Sequence, residues 1–391
     1  QVDAKVSELT TKLIVIGRYS RTSHEAMRGQ VDPQSAMFHY FSAESRVPSD
    51  HPLRAIKDLT ERALSEISSD LDALYPNNGR PSIAPERLLK GQLLMALYSV
   101  RSDRQFCEQL DYNILFRWFL DMNLEAPTLD QSNFSRLRTR LVDTDIARRF
   151  FDEVVRLARA RHLLSSDHFT VDGTLIDAWA SFKSFKRKDS DEPPKSGGDG
   201  TGMVDFKGEK RGNATHESST DPEARLMRKG NGQAARLSYG AHVLMENRSG
   251  LCVDVLVTPS TCAEHRAARD LLTRARRRRI HPKTLGADKG YHVKEFVEHL
   301  RAHKIRPHIA RIEGRKTPGL DGRTTCTEGY QISQRKRKRV EEIFGWLKTV
   351  GGMRKTRFIG QAKTQMATFM SAAAYNLLRI AKQTTQAVVS G

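Results

Sequence analysis

The chain has 391 residues, and its 65 Lys and Arg outweigh 46 Asp and Glu to give a formal charge of +19. That length exceeds one typical core and suggests two domains with appendages. The cationic surplus points to a nucleic-acid partner, with a membrane surface as the other polyanion that would welcome it. No run of about 18 apolar residues occurs, which excludes a bilayer-spanning helix, and Leu13–Ile16 is too short for the core of a signal peptide.

Residues 1–50 show weak periodicity and are expected to form a flexible arm, with a short amphipathic piece around Phe38–Phe41. From His51 the pattern is helical: Leu53, Ile56, Leu59, Leu64, Ile67, Leu71 and Leu74 trace an apolar face. The Pro76–Pro81 stretch breaks it, and Pro85 suits the first turn of a helix running to about Val100. Ser102-x-x-Gln105 reads as a capping box opening a helix to about Leu110, and Ile114–Leu120 as another short, very apolar segment. Thr128-x-x-Gln131 reads as a second capping box. After it Phe134, Leu137 and Leu141 share one face, with Asn133, Arg136 and Arg140 opposite. Short capped helices ending in a basic helix that bears Asn fit a helix-turn-helix arrangement. They fit a helical bundle with a solvated basic face equally well. Ile146–Leu164 closes this helical domain, which spans 51–164.

The texture changes at Ser165. His168–Asp172 alternates like a strand and ends on an acid followed by Gly173. Residues 183–236 are rich in Gly, Ser, Lys and Asp and are expected to be a flexible insertion, too poor in apolar surface to order alone. Leu237–Glu246 and Leu251–Thr258 read as strands joined by the turn Asn247–Arg248–Ser249–Gly250. A helix over Glu264–Arg279 finishes in four arginines, Arg276 to Arg279. Thr284–Asp288 is a short strand ending in an acid, Val293–His303 a helix and Ile305–Ala310 a strand. Arg311–Tyr330 reads as a loop, Gln331–Val350 as a helix, Gln361–Lys382 as a final Ala-rich helix and 383–391 as a tail.

The second half thus reads strand, insertion, strand, strand, helix, strand, helix, strand, helix. That order is the ribonuclease H-like topology, a mixed five-stranded sheet with flanking helices over 165–382. Its first and fourth strands are neighbours, so Asp172 and Asp288 can stand side by side at their ends. A third acid can come from the helix that follows the five bases Arg335–Arg339. Its residues Val340, Ile343, Phe344 and Leu347 recur at helical spacing and must pack. Arg337, Glu341 and Lys348 form a second, charged stripe, which for a lone helix would be an ordinary solvated face. Three such acids suit two divalent ions in an in-line displacement at phosphorus, and hard oxygen ligands select magnesium or manganese. Asp177 competes with Asp172, and Glu342 competes with Glu341; the helical wheel leaves the second pair undecided. The four cysteines (Cys107, Cys252, Cys262, Cys326) contain no C-x-x-C pair, and Cys252, Cys262 and His265 match no usual zinc spacing. Reduced thiols in a cytosolic protein are expected.

Three motifs now stand in order: Val171–Asp172–Gly173–Thr174, Leu285–Gly286–Ala287–Asp288–Lys289–Gly290–Tyr291, and Arg337-x3-Glu341-x6-Lys348 around Phe344–Gly345–Trp346–Leu347. With Asp130–Arg136 and Leu237–Ser238–Tyr239, they resemble the DDE transposases of bacterial insertion sequences over most of the chain from about Met27. Residues 1–26 have no counterpart, and Met27 stands where the family usually starts. The resemblance implies Asp172, Asp288 and Glu341 as the catalytic, metal-binding triad, holding two Mg2+ ions for which Mn2+ can substitute. It favours Glu341 over Glu342, because Glu341 stands three before Phe344 and seven before Lys348. It also implies DNA contacts by Lys289, Tyr291, Arg335, Arg337, Arg339 and Lys348, beside Asn133, Arg136 and Arg140 in the helical domain. The family often has Tyr where Gln334 stands. The activity implied is cleavage of terminal inverted repeats and strand transfer into target DNA, by a homodimer or larger synaptic complex at the bacterial nucleoid. A domesticated regulator without catalysis, and a nuclease without strand transfer, are the rival readings. No Walker-type nucleotide loop occurs.

Overall fold

Strand β1 (His168–Asp177) lies at the centre of the sheet in the computed structural model, which describes residues 41–73, 82–188, 205–206, 209–228, 230 and 232–390. On one side β1 pairs antiparallel with β7 (Arg236–Glu246), and β7 pairs antiparallel with β8 (Leu251–Pro259). On the other side β1 pairs parallel with β9 (Thr284–Ala287), which pairs parallel with β10 (Arg306–Ile309). The resulting order, β8-β7-β1-β9-β10, is the ribonuclease H-like sheet. The β7–β8 turn closes on Gly250, whose φ of +71° needs a residue without a Cβ.

The edge strand β8 is closed off by amide side chains from the helix Gln361–Ser390. Asn376 accepts from the Cys252 N–H at 2.9 Å and donates to the Cys252 carbonyl at 2.7 Å. Gln365 does the same for the Val257 N–H (2.6 Å) and the Val255 carbonyl (3.2 Å). Backbone groups that could recruit a foreign strand are thereby satisfied within the fold.

That long helix also packs against the helices Pro52–Glu66, Pro85–Leu97 and Ile146–Ala160. One continuous core joins residues of the helical part, such as Leu93, Phe150 and Val154, to Val243, Leu285 and Leu377 of the remainder. Residues 43–391 accordingly form one compact unit, although the chain's texture changes at Ser165. Asp103 adds a polar clasp between the two parts: it accepts from Arg138 at 2.5 Å and from Arg357 at 2.6 Å, with only 10% of its side chain exposed. Among the described residues no helix is long and apolar enough to cross a membrane.

Several expectations change. Strand β1 does not stop at Asp172 but runs on to Asp177, because its pairing with β7 continues to Ser238. The helix after Leu129 is capped by Asp130, whose side chain accepts from the Asn133 N–H at 2.8 Å, rather than by Thr128. Two helices, Gly322–Thr325 and Glu328–Lys336, begin inside the expected loop 311–330. The expected helix Gln331–Val350 is divided by a 3-10 turn at Arg337–Arg339, after which Val340–Thr349 resumes.

The insertion is ordered over much of 209–228. In it β2 (Phe185–Arg187) pairs with β5 (His216–Ser218), and β3 (Asp205–Phe206) with β4 (Glu209–Lys210). A sixth strand of the main sheet, β6 (Arg225–Met227), pairs with the start of β7. The apolar surface that orders it comes from outside the segment: Phe185 and Ala224 pack with Leu237, Tyr239 and Val257. The Tyr239 hydroxyl donates to the fully buried Asp221 at 2.7 Å. The amphipathic piece expected at Phe38–Phe41 falls, but for its last residue, outside the described residues, as does 189–204.

Candidate active site

The parallel register of β1 and β9 sets two aspartates abreast. Thr170 pairs with Gly286, and two residues further along each chain come Asp172 and Asp288, on the same face by the two-residue period of extended chain. Each is fixed by its own backbone: Asp172 Oδ1 accepts from the Gly173 N–H and Asp288 Oδ1 from the Gly290 N–H, both at 2.8 Å. Burial pushes the Asp172 carboxyl up to about 6, and the charges of Asp288 and Glu341 push the same way against the Gly173 N–H and Arg337.

The helix Val340–Thr349 brings Glu341. Its apolar stripe, Val340, Ile343, Phe344 and Leu347, is buried, and Lys348 in its last turn donates to the Thr174 hydroxyl at 2.6 Å. Thr174 shares a face of β1 with Asp172, so this bond draws the Glu341 helix across that face. Glu342 turns elsewhere: it pairs with Arg379 at 2.8 Å and Arg339 at 3.5 Å. Asp177 ion-pairs with Arg236 at 2.9 Å and lies five residues, about 17 Å of strand, beyond Asp172.

A fourth acid, which the sequence reading did not single out, stands at the same place. Glu264 opens the helix Glu264–Arg277 on the opposite face of the sheet. Burial pushes its carboxyl up to about 7, with the charges of Asp288 and Asp172 adding to the rise. In sequence it reads only as an acid suited to a helix N-terminus.

The oxygen-only donor set suits a hard divalent cation, and crowded carboxylates with raised proton affinity are what such a cation relieves. Among the described residues, no three His, Cys, Asp or Glu side chains stand as a closed ligand set. The acids share a field rather than a common point.

The remaining expected contacts divide. Lys289, next in sequence to Asp288, and Arg335 are exposed, and Arg337 donates to Gln334 Oε1 at 3.1 Å. Gln334 itself donates to the His308 carbonyl at 2.6 Å, so the residue standing where the family often has Tyr positions Arg337. Asn133, Arg136 and Arg140 are exposed on one helix, with Arg136 donating to Asn133 at 2.6 Å. One expectation is corrected. Tyr291 is 0% exposed and packs on Phe296, so it cannot touch DNA in this fold. Arg339, partly exposed, donates to the carbonyls of Asn247 and Arg248, at 2.7 and 2.8 Å. In the basic run Arg276–Arg279, Arg278 is spent internally, pairing with Asp152 at 2.6 Å and with the fully buried Asp254 at 2.9 Å.

Two family descriptions match the chain: a Transposase domain (DUF772) over residues 41–140 and a Transposase DDE domain over 204–377. The second includes Asp288 and Glu341 and begins after Asp172. A comparison with curated proteins finds no match. Among solved structures, the chain is similar to a piggyBac transposase synaptic complex with hairpin DNA, at 8% identity and a TM-score of 0.40 over 86% of this chain and 76% of that one. It is also similar to a Mos1 transposase paired-end complex with left transposon end, at 10% identity and a TM-score of 0.20 over 73% and 83%. Likeness this low adds nothing to the strand order described above. With a transposase domain followed by a transposase DDE domain across well over half its length, the chain belongs to the DDE transposases of the insertion-sequence type.

Proposed function

We propose that this DNA transposase binds the terminal inverted repeats of its element and uses Asp172, Asp288 and Glu341 to cut the ends and join them to target DNA. The observation that carries the reading is the β1–β9 register, which sets Asp172 and Asp288 abreast, with Glu341 on a helix tied to the same strand through Lys348 and Thr174. Of the two candidates on that helix, Glu341 is favoured because Glu342 is held in ion pairs with Arg339 and Arg379.

These carboxylates would hold Mg2+ or Mn2+, as a pair of ions. Cations so held would polarise the scissile phosphodiester and stabilise the leaving oxygen. The chain's own groups orient the reaction. Gly173 and Gly290 fix one oxygen of each aspartate through their N–H groups, leaving the other for a ligand. Arg337 and Lys348 border the acids from the Glu341 side and can take the phosphates flanking the cut, with Lys289 and Arg335 exposed nearby. Asn133, Arg136 and Arg140, together with Arg276, Arg277 and Arg279, supply the salt-dependent grip on the duplex. Two ends must be cut and joined, which calls for a homodimer or larger synaptic complex on DNA.

The test is to incubate the purified chain with the DNA flanking its own gene, a supercoiled target and Mg2+, and to sequence the products. Donor ends covalently joined to target support the transposase reading. Cut ends without joining would make the protein a nuclease, and specific binding without cutting a regulator.

A further inference from the structure

Two glycines of the aspartate motifs make room for one carboxylate. A Cβ on Gly173 would lie 3.1 Å from Glu264 Oε1, and a Cβ on Gly290 would lie 3.1 Å from Glu264 Oε2. Neither glycine has a positive φ, so backbone conformation does not demand it. What each supplies is space, one beside Asp172 and the other two residues after Asp288. Glu264 fills the notch between them.

Two further polar groups border this notch without a partner. His242, opposite Gly173 on β7, is 3% exposed; its Nε2 bonds the Thr258 hydroxyl at 3.0 Å. Its Nδ1 has no partner and lies 3.1 Å from the same Gly173 Cβ position as Glu264 Oε1. The Tyr291 hydroxyl is fully buried and unpartnered, and it feels the charges of Glu264, Asp172 and Asp288. Buried groups left unsatisfied are costly, and they collect where a further ligand completes the arrangement.

We propose that Glu264, seated in the Gly173–Gly290 notch, is a fourth carboxylate of the metal centre, approaching Asp172 and Asp288 from the sheet face opposite to Glu341. The proposal rests on the metal-dependent reading above. An acid entering from the other face would add an oxygen ligand on that side of the sheet edge, beside those of Asp172 and Asp288. It also assigns a task to both glycines: G173A displaces Glu264 without touching either aspartate, whereas a Cβ on Gly290 would lie 3.1 Å from Asp288 Oδ1 as well as from Glu264 Oε2.

The experiment titrates Mn2+ into the full-length chain, following free Mn2+ by electron paramagnetic resonance, and measures Mg2+-dependent nicking and melting temperature in parallel. E264Q and G173A are expected to weaken Mn2+ binding about tenfold and to slow nicking, with the cation-free melting temperature of E264Q held or raised. E264D, one methylene shorter, should recover part of the binding. Wild-type Mn2+ affinity in E264Q, or a lowered melting temperature with unchanged affinity, would overturn the proposal and make Glu264 structural. D172N and D288N separate the two levels. If they lose Mn2+ and nicking while E264Q does not, the fourth carboxylate fails alone; if they keep both, the metal centre itself is wrong.

Discussion

Lys348 reaches the Thr174 hydroxyl at 2.6 Å, tying the helix that carries Glu341 to the strand that carries Asp172. The buried apolar stripe and the Glu342–Arg379 pair also hold that helix, but among these contacts only the Lys348 bond ties it to β1 beside Asp172. T174V and K348M are each expected to slow single-turnover cleavage. Together they should slow it by less than the product of the two effects, with a coupling of about 1 kcal/mol, roughly fivefold in rate. Fully multiplicative losses would show that the bond does not position the helix.

Glu341 and Glu342 are adjacent and chemically identical, yet their surroundings differ. E341Q should abolish cleavage while leaving the melting temperature near wild type. E342Q loses only half-exposed pairs with Arg339 and Arg379, so cleavage should persist and stability fall by no more than about 1 kcal/mol. The reverse pattern in a nicking assay would reassign the acid.

The arginines at the end of the Glu264–Arg277 helix are not equivalent. R276A and R277A remove exposed cations and should each flatten the salt dependence of DNA binding by about one unit of slope. R278A leaves Asp254 buried without its cation and should cost about 3–5 kcal/mol of stability. Salt titrations and chemical denaturation distinguish the two classes.

Asp103 makes stability depend on acid. Burial works to raise its carboxyl, but the Arg138 bond and the Arg357 charge outweigh burial and hold it below the usual value of 3.8. A carboxylate whose folded pKa is lowered contributes fully above its unfolded value and loses that contribution as pH falls through the folded one. D103N should therefore cost about 3 kcal/mol at pH 7, and the gap in melting temperature from wild type should narrow below about pH 4. A gap independent of pH would mean that the clasp acts through shape alone.

Much of this architecture is legible in the residues. The alternation of His168–Val171, the short apolar run Leu285–Ala287 and the turn at Asn247–Gly250 fix enough strands to give the sheet order. The stripe Val340–Leu347 predicts a packed helix, and it is one. What escapes is non-local. Gly173 reads as a terminator, yet pairing with β7 carries β1 onward to Asp177. The segment around 209–228 has too little apolar surface of its own, and Tyr239 and Val257 lend it theirs. The resemblance implies a DNA contact by Tyr291, but the fold buries it. Glu264 reads locally only as an acid at a helix N-terminus, because the two glycines that seat it are far away in sequence.

Asp172, Asp288 and Glu341 are proposed to form a divalent-cation-dependent centre that cuts DNA. The most direct measurement compares nicking at the element's ends by wild type and D288A in Mg2+ and in Ca2+. Wild type should make defined nicks in Mg2+ and none in Ca2+, and D288A none in either, with end binding retained. Specific end binding by wild type with no nick under any cation, or undiminished nicking by D288A, would contradict it.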